Sequence, residues 1–296
     1  ARINSEARMI FTSRRARSAR FPSVLVAFFI LVASLQAAAQ EANPPPAPKK
    51  ELPWRSAEVR LGVFFTSSDA GLEVKSDAGV GASVDFEDVL GMSESTLAFR
   101  GEASFSLGAR HRIHLDVFSL SREGDKSLAN DLQIGNTLFP AGTGVKSESE
   151  FQMYMLTYGY SLIQDERMDL AVTFGIHGIR STLEVNAEVI DRHKSANLFL
   201  PIPLPGLRFD TALTPDLWLR QRAEFIWIAA GPYSGILSDL SIRLEYAFAE
   251  SFSAGIGFNS LQIKLNSSND DAGGVGFEGS LEMGFSGLML YAGASF

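Results

Sequence analysis

Cysteine is absent from the chain. That excludes a disulfide scaffold and any thiolate metal site. Amphipathic helical repeats are scarce as well, because apolar residues seldom recur at three- and four-residue spacing. The one long apolar run, Val24 to Leu35, falls short of the roughly 20 residues that a membrane-spanning helix needs. Basic charge is in deficit: 26 Lys and Arg face 34 Asp and Glu, a formal net charge of −8. The first 39 residues hold six Arg and one Glu, so the remainder carries −13. A chain this acidic is a poor partner for nucleic acid, whose phosphates need a basic face.

What is present at the N-terminus has three parts. Arg14, Arg15, Arg17 and Arg20 precede the apolar run, and Ala37, Ala38 and Ala39 follow it. A basic region, an apolar core and a small-residue cleavage site make a secretory signal, expected over residues 1–39. The next stretch, "EANPPPAPKKELPW", reads as a short extended spacer over residues 40–55.

From residue 56 onward the dominant period is two. "EVRLGVFF" puts Val59, Leu61, Val63 and Phe65 on one face. "QMYMLTYGYSL" sets Tyr154, Leu156, Tyr158 and Tyr160 against Thr157, Gly159 and Ser161. "LWLRQRAEFIW" sets Leu217, Leu219, Ala223, Phe225 and Trp227 against Arg220, Arg222 and Glu224. About ten such segments occur. The last ends in "LMLYAGASF", after a phase change at Ser286 and Gly287 that reads as a bulge. Alternation alone also suits a soluble sandwich. Three features separate the two cases. Short connections ("GARH", "QDER", "TPD", "AES") alternate with long ones, which are expected over 67–95, 122–146, 185–197, 231–238 and 260–274. Aromatics (Tyr158, Tyr160, Phe248, Phe252, Phe296) sit near strand ends on the apolar face. Charges fall on the opposite face, where a membrane barrel keeps its lumen. The expected fold is all-β: an antiparallel transmembrane β-barrel of about ten strands, within a range of 8–12, over residues 56–296. Residues 71–88 could add a hairpin.

This pattern resembles Gram-negative outer-membrane β-barrel proteins. The resemblance implies an outer-membrane location, contact with outer-membrane lipids and lipopolysaccharide, and recognition of the C-terminal strand by the barrel-assembly machinery. Phe296 would be the insertion signal. The aromatic that many members carry two residues before the end is replaced here by Ala294.

The expected lumenal charges are Glu58, Arg60, Arg100, Glu102, His114, Asp116, Arg208, Asp210, Arg220, Arg222, Glu224, Arg243, Glu245, Glu278 and Glu282. The "TPD" turn predicts Asp210 opposite Arg220 and Arg208 opposite Arg222. Such a lining either fills a narrow barrel with ion pairs or serves a small polar permeant. Gln221 fits the apolar face poorly. The one close-spaced pair suited to acyl hydrolysis is His193 and Ser195, in a long loop. No spacing of His, Asp and Glu suggests a metal, and no cofactor is expected. A surface cation on Asn269, Asp270 and Asp271 is a weaker option than a plain turn.

"LPIPLPGL" stands apart. Pro201, Pro203 and Pro205 occupy alternate positions, which deletes ladder donors on one seam. Either the wall opens there to admit an apolar ligand from the outer leaflet, or the strand has already left the membrane. The leading functional reading is a small, largely filled barrel with a structural, surface-interaction or restricted-transport role. The alternatives are a barrel that modifies or transports lipids, and a soluble periplasmic or secreted β-protein.

Overall fold

The computed structural model describes residues 57–75, 81–134, 137–187, 192–231, 233–267 and 279–296. The expected signal and spacer lie outside these residues, as do Glu278 and the Asn269–Asp271 stretch. Thirteen strands are present among them: β1 (Ala57–Lys75), β2 (Gly81–Asp85), β3 (Ser95–Ser106), β4 (His111–Ser127), β5 (Leu132–Ile134), β6 (Thr137–Phe139), β7 (Gly144–Gln164), β8 (Met168–Ala187), β9 (Arg192–Ala212), β10 (Leu217–Ala230), β11 (Tyr233–Ala249), β12 (Phe252–Ser267) and β13 (Gly279–Ser295). Ten of them form the wall. The order β13-β12-β11-β10-β9-β8-β7-β4-β3-β1 closes through β13 pairing with β1, and every neighbour is antiparallel. Phe296 completes the closure: its amide donates to the Ala57 carbonyl at 2.8 Å, and the Ala57 amide donates back at 3.3 Å.

The outward face is apolar where the sequence places it. Leu61, Phe65, Leu97, Phe99, Leu156, Tyr158, Phe174, Ile176, Ile256 and Leu290 are all exposed. In water such a continuous band would be a large unfavourable surface; against hydrocarbon it costs nothing. The soluble alternative would need that face covered. The short turns lie at one end of the barrel, together with Ala57 and Phe296. By the convention of membrane barrels this is the periplasmic end.

Three expectations about the strands and their connections are corrected. β7, β8 and β9 run for 21, 20 and 21 residues. A tilted strand crosses a bilayer in about 9–11. The extra length carries paired hairpins beyond the membrane, so much of what reads as long loop is strand. The expected loop at 231–238 is a tight turn, because β11 already begins at Tyr233. Nor is there a bulge at Ser286: β13 keeps an unbroken register with both β1 and β12 through that point. Leu281, Met283 and Phe285 are buried inside the barrel, while Leu288 and Leu290 face outward. The alternation never slips. The interior simply changes from apolar to polar along the strand.

That change organises the lumen. Toward the long-loop end it is an apolar core, in which the rings of Phe118, Phe151 and Phe285 pack with centroids 4.7–5.9 Å apart. Phe64 joins Phe118 edge-on at 5.9 Å. β3 is short, and the gap above it between β1 and β4 is covered by 85–94, with Phe86, Leu90 and Met92 buried in the same core. β2 pairs with the outer end of β1, so the region read as a possible hairpin is one. Toward the short-turn end the lumen is charged.

Candidate functional site

The ion pairs of the charged half come from seven strands, β1, β3, β4 and β8 to β11, and Asn259 of β12 and Tyr291 of β13 join them. Asp210 stands opposite Arg220 and Arg208 opposite Arg222, the register expected from the "TPD" turn. Two sets of ion pairs form among the described residues. In the first, Arg60 bonds Glu58 and Glu245, both at 2.8 Å. Arg220 reaches Glu245 at 2.9 Å, Asp210 at 3.3 Å and Glu58 at 3.7 Å. Arg208 spans Asp169 and Asp210, and Arg112 approaches Asp169 at 4.0 Å. Four guanidinium groups thus meet four carboxylates. In the second set, Arg100 joins Glu102 at 2.9 Å and Asp116 at 3.5 Å. Arg222 joins Asp239 at 3.0 Å, Asp116 at 3.4 Å and Glu224 at 3.8 Å. Arg243 joins Glu102. Here three guanidinium groups meet four carboxylates, a formal excess of one negative charge. Asn259 bridges Arg100 and Asp239. Tyr291 donates to Glu245 at 3.1 Å.

His114 faces Arg208, with Nε2 at 3.3 Å from Nη1, and lines a small polar cavity in this network. Asp116, two residues on, is paired with Arg100 and Arg222. Glu282 is corrected: it lies on the outer face, exposed and paired with Lys264. Gln221 keeps its register opposite Phe209, yet it is buried and borders the polar cavity. Alternation breaks at this point, since Trp218 to Arg222 are all buried. Arg112, Asp169 and Asp239 belong to the network and were missed by sequence reasoning. Each alternates with an apolar neighbour (Ile113, Leu170, Leu240), which is the signal that could have found them. His193 and Ser195 fall on the outer part of β9, opposite Asn186 and Glu184 of β8. Their side chains lie outside the described residues.

The prolines sit in β9, which does not end at them. It pairs with β8 without interruption from Thr211 out to Arg192. An antiparallel ladder that runs unbroken past three prolines must turn their missing N–H groups to the other neighbour. On that side, pairing with β10 covers only Ala212 to Gly206, opposite Trp218 to Glu224. Among the described residues, β10 continues to Ala230 paired with β11 alone. The seam is therefore unpaired from Pro205 outward. Pro203 lies opposite Ile176 and Pro205 opposite Phe174, both exposed in the outward apolar band. Behind the seam, Ile202 and Leu204 are fully buried in the apolar core, and Ile226 and Ile228 pack against it.

At the foot of the seam a buried polar group marks the boundary of the two halves. His177 of β8 and Glu224 of β10 reach across the intervening strand to 3.5 Å. Gly206, opposite Glu224, leaves the room: a Cβ there would stand 2.6 Å from the Glu224 Cγ and 2.8 Å from the Thr173 hydroxyl. Gly175 does the same for Thr157, whose hydroxyl would be 2.5 Å from a Cβ. Thr157, Thr173, His177 and Glu224 are all buried, and their side-chain polar atoms have no hydrogen-bond partner among the described residues.

No protein-family profile matches the chain, and neither does any curated protein sequence. Solved structures do. The outer membrane protease OmpT from Escherichia coli aligns with TM-score 0.54 at 11% identity, over 81% of this chain and 96% of that one. The transport unit of the autotransporter AIDA-I from Escherichia coli gives 0.40 at 10% identity, over 90% and 97%. The attachment protein Ail of Yersinia pestis gives 0.36 at 11%, over 81% and 99%. The fold is that of Gram-negative outer-membrane β-barrels.

Proposed function

We propose that this outer-membrane barrel takes up an apolar or amphiphilic molecule sideways from the outer leaflet, through the seam between β9 and β10, into the apolar half of its lumen. The observation that carries this reading is the loss of β9–β10 pairing beyond Gly206, inside the lipid-facing band. An unpaired strand edge facing lipid is expensive, because no water is present to satisfy its backbone groups. Proline lowers that cost on β9 by removing the donors, leaving only carbonyls on that edge at these three positions. Two further features support the reading. The space behind the seam is lined by aliphatic side chains rather than charges. The charged half below is closed by interlocked ion pairs, so it serves as a floor and not as a pore. The apolar half is filled by its own side chains, among them Met153, Met155, Met283 and Met289. Unbranched thioether chains repack at low cost around a guest.

Closing the seam tests this reading. Continuing the register of Gly206 opposite Glu224 brings Pro203 opposite Trp227. The chain has no cysteine, so a Pro203→Cys/Trp227→Cys pair can be bridged by a short thiol-reactive linker in lipid nanodiscs. A hydrocarbon probe with a mid-chain diazirine is then photolysed and its adducts are mapped. The expected result is labelling of Ile202, Leu204 and Ile226 that falls at least tenfold on bridging. Adducts confined to outward residues such as Leu156 and Ile176 in both states would overturn the proposal.

A further inference from the structure

Lateral entry explains the prolines but not the polar group beneath them. Burying hydroxyl, imidazole and carboxylate atoms without partners is unfavourable, because each gives up its hydrogen bonds to water and regains none. Four such side chains, from β7, β8 and β10, lie where the apolar half of the lumen meets the charged half, and Thr157 and Thr173 also line the polar cavity of the latter. The two glycines opposite them keep the space open. The ion pairs below hold this group loosely: among the described residues, Glu224 approaches Arg222 at 3.8 Å, and His177 meets Glu224 at 3.5 Å and no other charged side chain within ion-pair distance.

We infer that Thr157, Thr173, His177 and Glu224 form a receptor for the polar end of an amphiphile, and that it selects a headgroup which donates hydrogen bonds and carries no negative charge. The inference rests on entry through the β9–β10 seam. Its chemistry comes from the inventory of the site. The two carboxylate oxygens of Glu224 accept only; each threonine hydroxyl can accept or donate; and one imidazole nitrogen of His177 is free to accept in its neutral form. Acceptors outnumber donors, so a hydroxyl or amine fits and a carboxylate leaves lone pairs facing lone pairs. The charge count agrees. The adjoining set of ion pairs, which contains Glu224, already holds four carboxylates against three guanidinium groups. A second anion there would deepen the excess in a low-dielectric interior. The tail has one direction to run, upward among Ile202, Leu204 and Ile226, because the ion pairs close the space below.

Two photoreactive probes of equal chain length separate this inference from the reading it rests on. One is a long-chain primary alcohol and the other the corresponding fatty acid, each with a mid-chain diazirine. In nanodiscs at neutral pH, the alcohol is expected to label Ile202, Leu204 and Ile226 at least tenfold more than the acid. Glu224→Gln and Thr173→Val preserve shape, and their folding is checked by heat-modifiable gel migration. Each is expected to cut lumenal labelling by the alcohol at least threefold while leaving the hydrocarbon probe unchanged. Equal labelling by alcohol and acid, still abolished by bridging the seam, would overturn the headgroup site and leave lateral entry standing. Labelling by the alcohol that survives bridging would overturn both, and absence of the alcohol from a lumen that the hydrocarbon probe still labels would overturn the headgroup site alone.

Discussion

Arg222 shows what a single side chain does in this interior. It meets Asp116, Asp239 and Glu224 at once. A buried ion pair adds little net stability over an apolar pair of the same volume, yet losing one partner strands the others. Arg222→Met would leave three carboxylates facing one another. The expected loss is about 3–5 kcal/mol, the range for breaking a buried pair. It is read from the urea midpoint for unfolding in lipid vesicles, and a shift equivalent to less than about 1 kcal/mol would show that the network does not hold the floor together. Asp210 and Arg220 were legible from the sequence, since a three-residue turn sets the register of the strands around it. Asp239 is not legible, because residues 231–238 carry the composition of a loop although β11 begins at Tyr233.

At the scale of elements, β9 is the unusual strand. Its ladder with β8 is complete and its ladder with β10 is half missing. Replacing the prolines in the combination Pro201→Val, Pro203→Thr and Pro205→Val restores three donors with the right spacing. At about 1 kcal/mol net for each bond formed, the barrel is expected to gain roughly 3 kcal/mol. The same urea titration checks it, and labelling of the lumen by the hydrocarbon probe should fall in parallel. A triple variant no more stable than the parent would mean that something other than the missing donors holds β9 and β10 apart. The gap above β3 is managed differently, with residues 85–94 folded into it. There Met92 bridges to Gly124 of β4, and Glu87 pairs with Arg122. The wall thus has two interruptions. One is plugged by the chain itself, and the other leaves β9 and β10 unpaired beside the outward apolar band.

At the scale of the whole molecule, the lumen is two-tiered, and the lower tier is closed. Ten strands enclose a space that side chains can nearly fill. The seven arginines and eight carboxylates of the two ion-pair sets do so at the short-turn end. Planar bilayers containing the purified protein are therefore expected to show no steady conductance steps of porin size. Regular open steps in single-channel recordings would mean that the ion-pair floor parts under voltage, and the account of a sealed base would fall.

The sequence by itself determined the barrel. A two-residue period, short turns alternating with longer connections, and charges opposite the apolar face are local features, and each strand carries them without reference to its neighbours. It also placed the lower lumen, because charged residues between apolar ones can face only inward in a lipid-exposed wall. Only the tertiary structure decided the upper lumen. Where Phe151, Met153 and Met155 alternate with Tyr154 and Leu156, both faces are apolar, and nothing local says which one meets lipid. The same ambiguity made the unbroken β13 look bulged. Which seam the prolines leave unpaired, and that His177 and Glu224 meet beneath it, depends on strands brought side by side by closure. Pairing across a barrel is a property of the closed wall, and no single strand contains it.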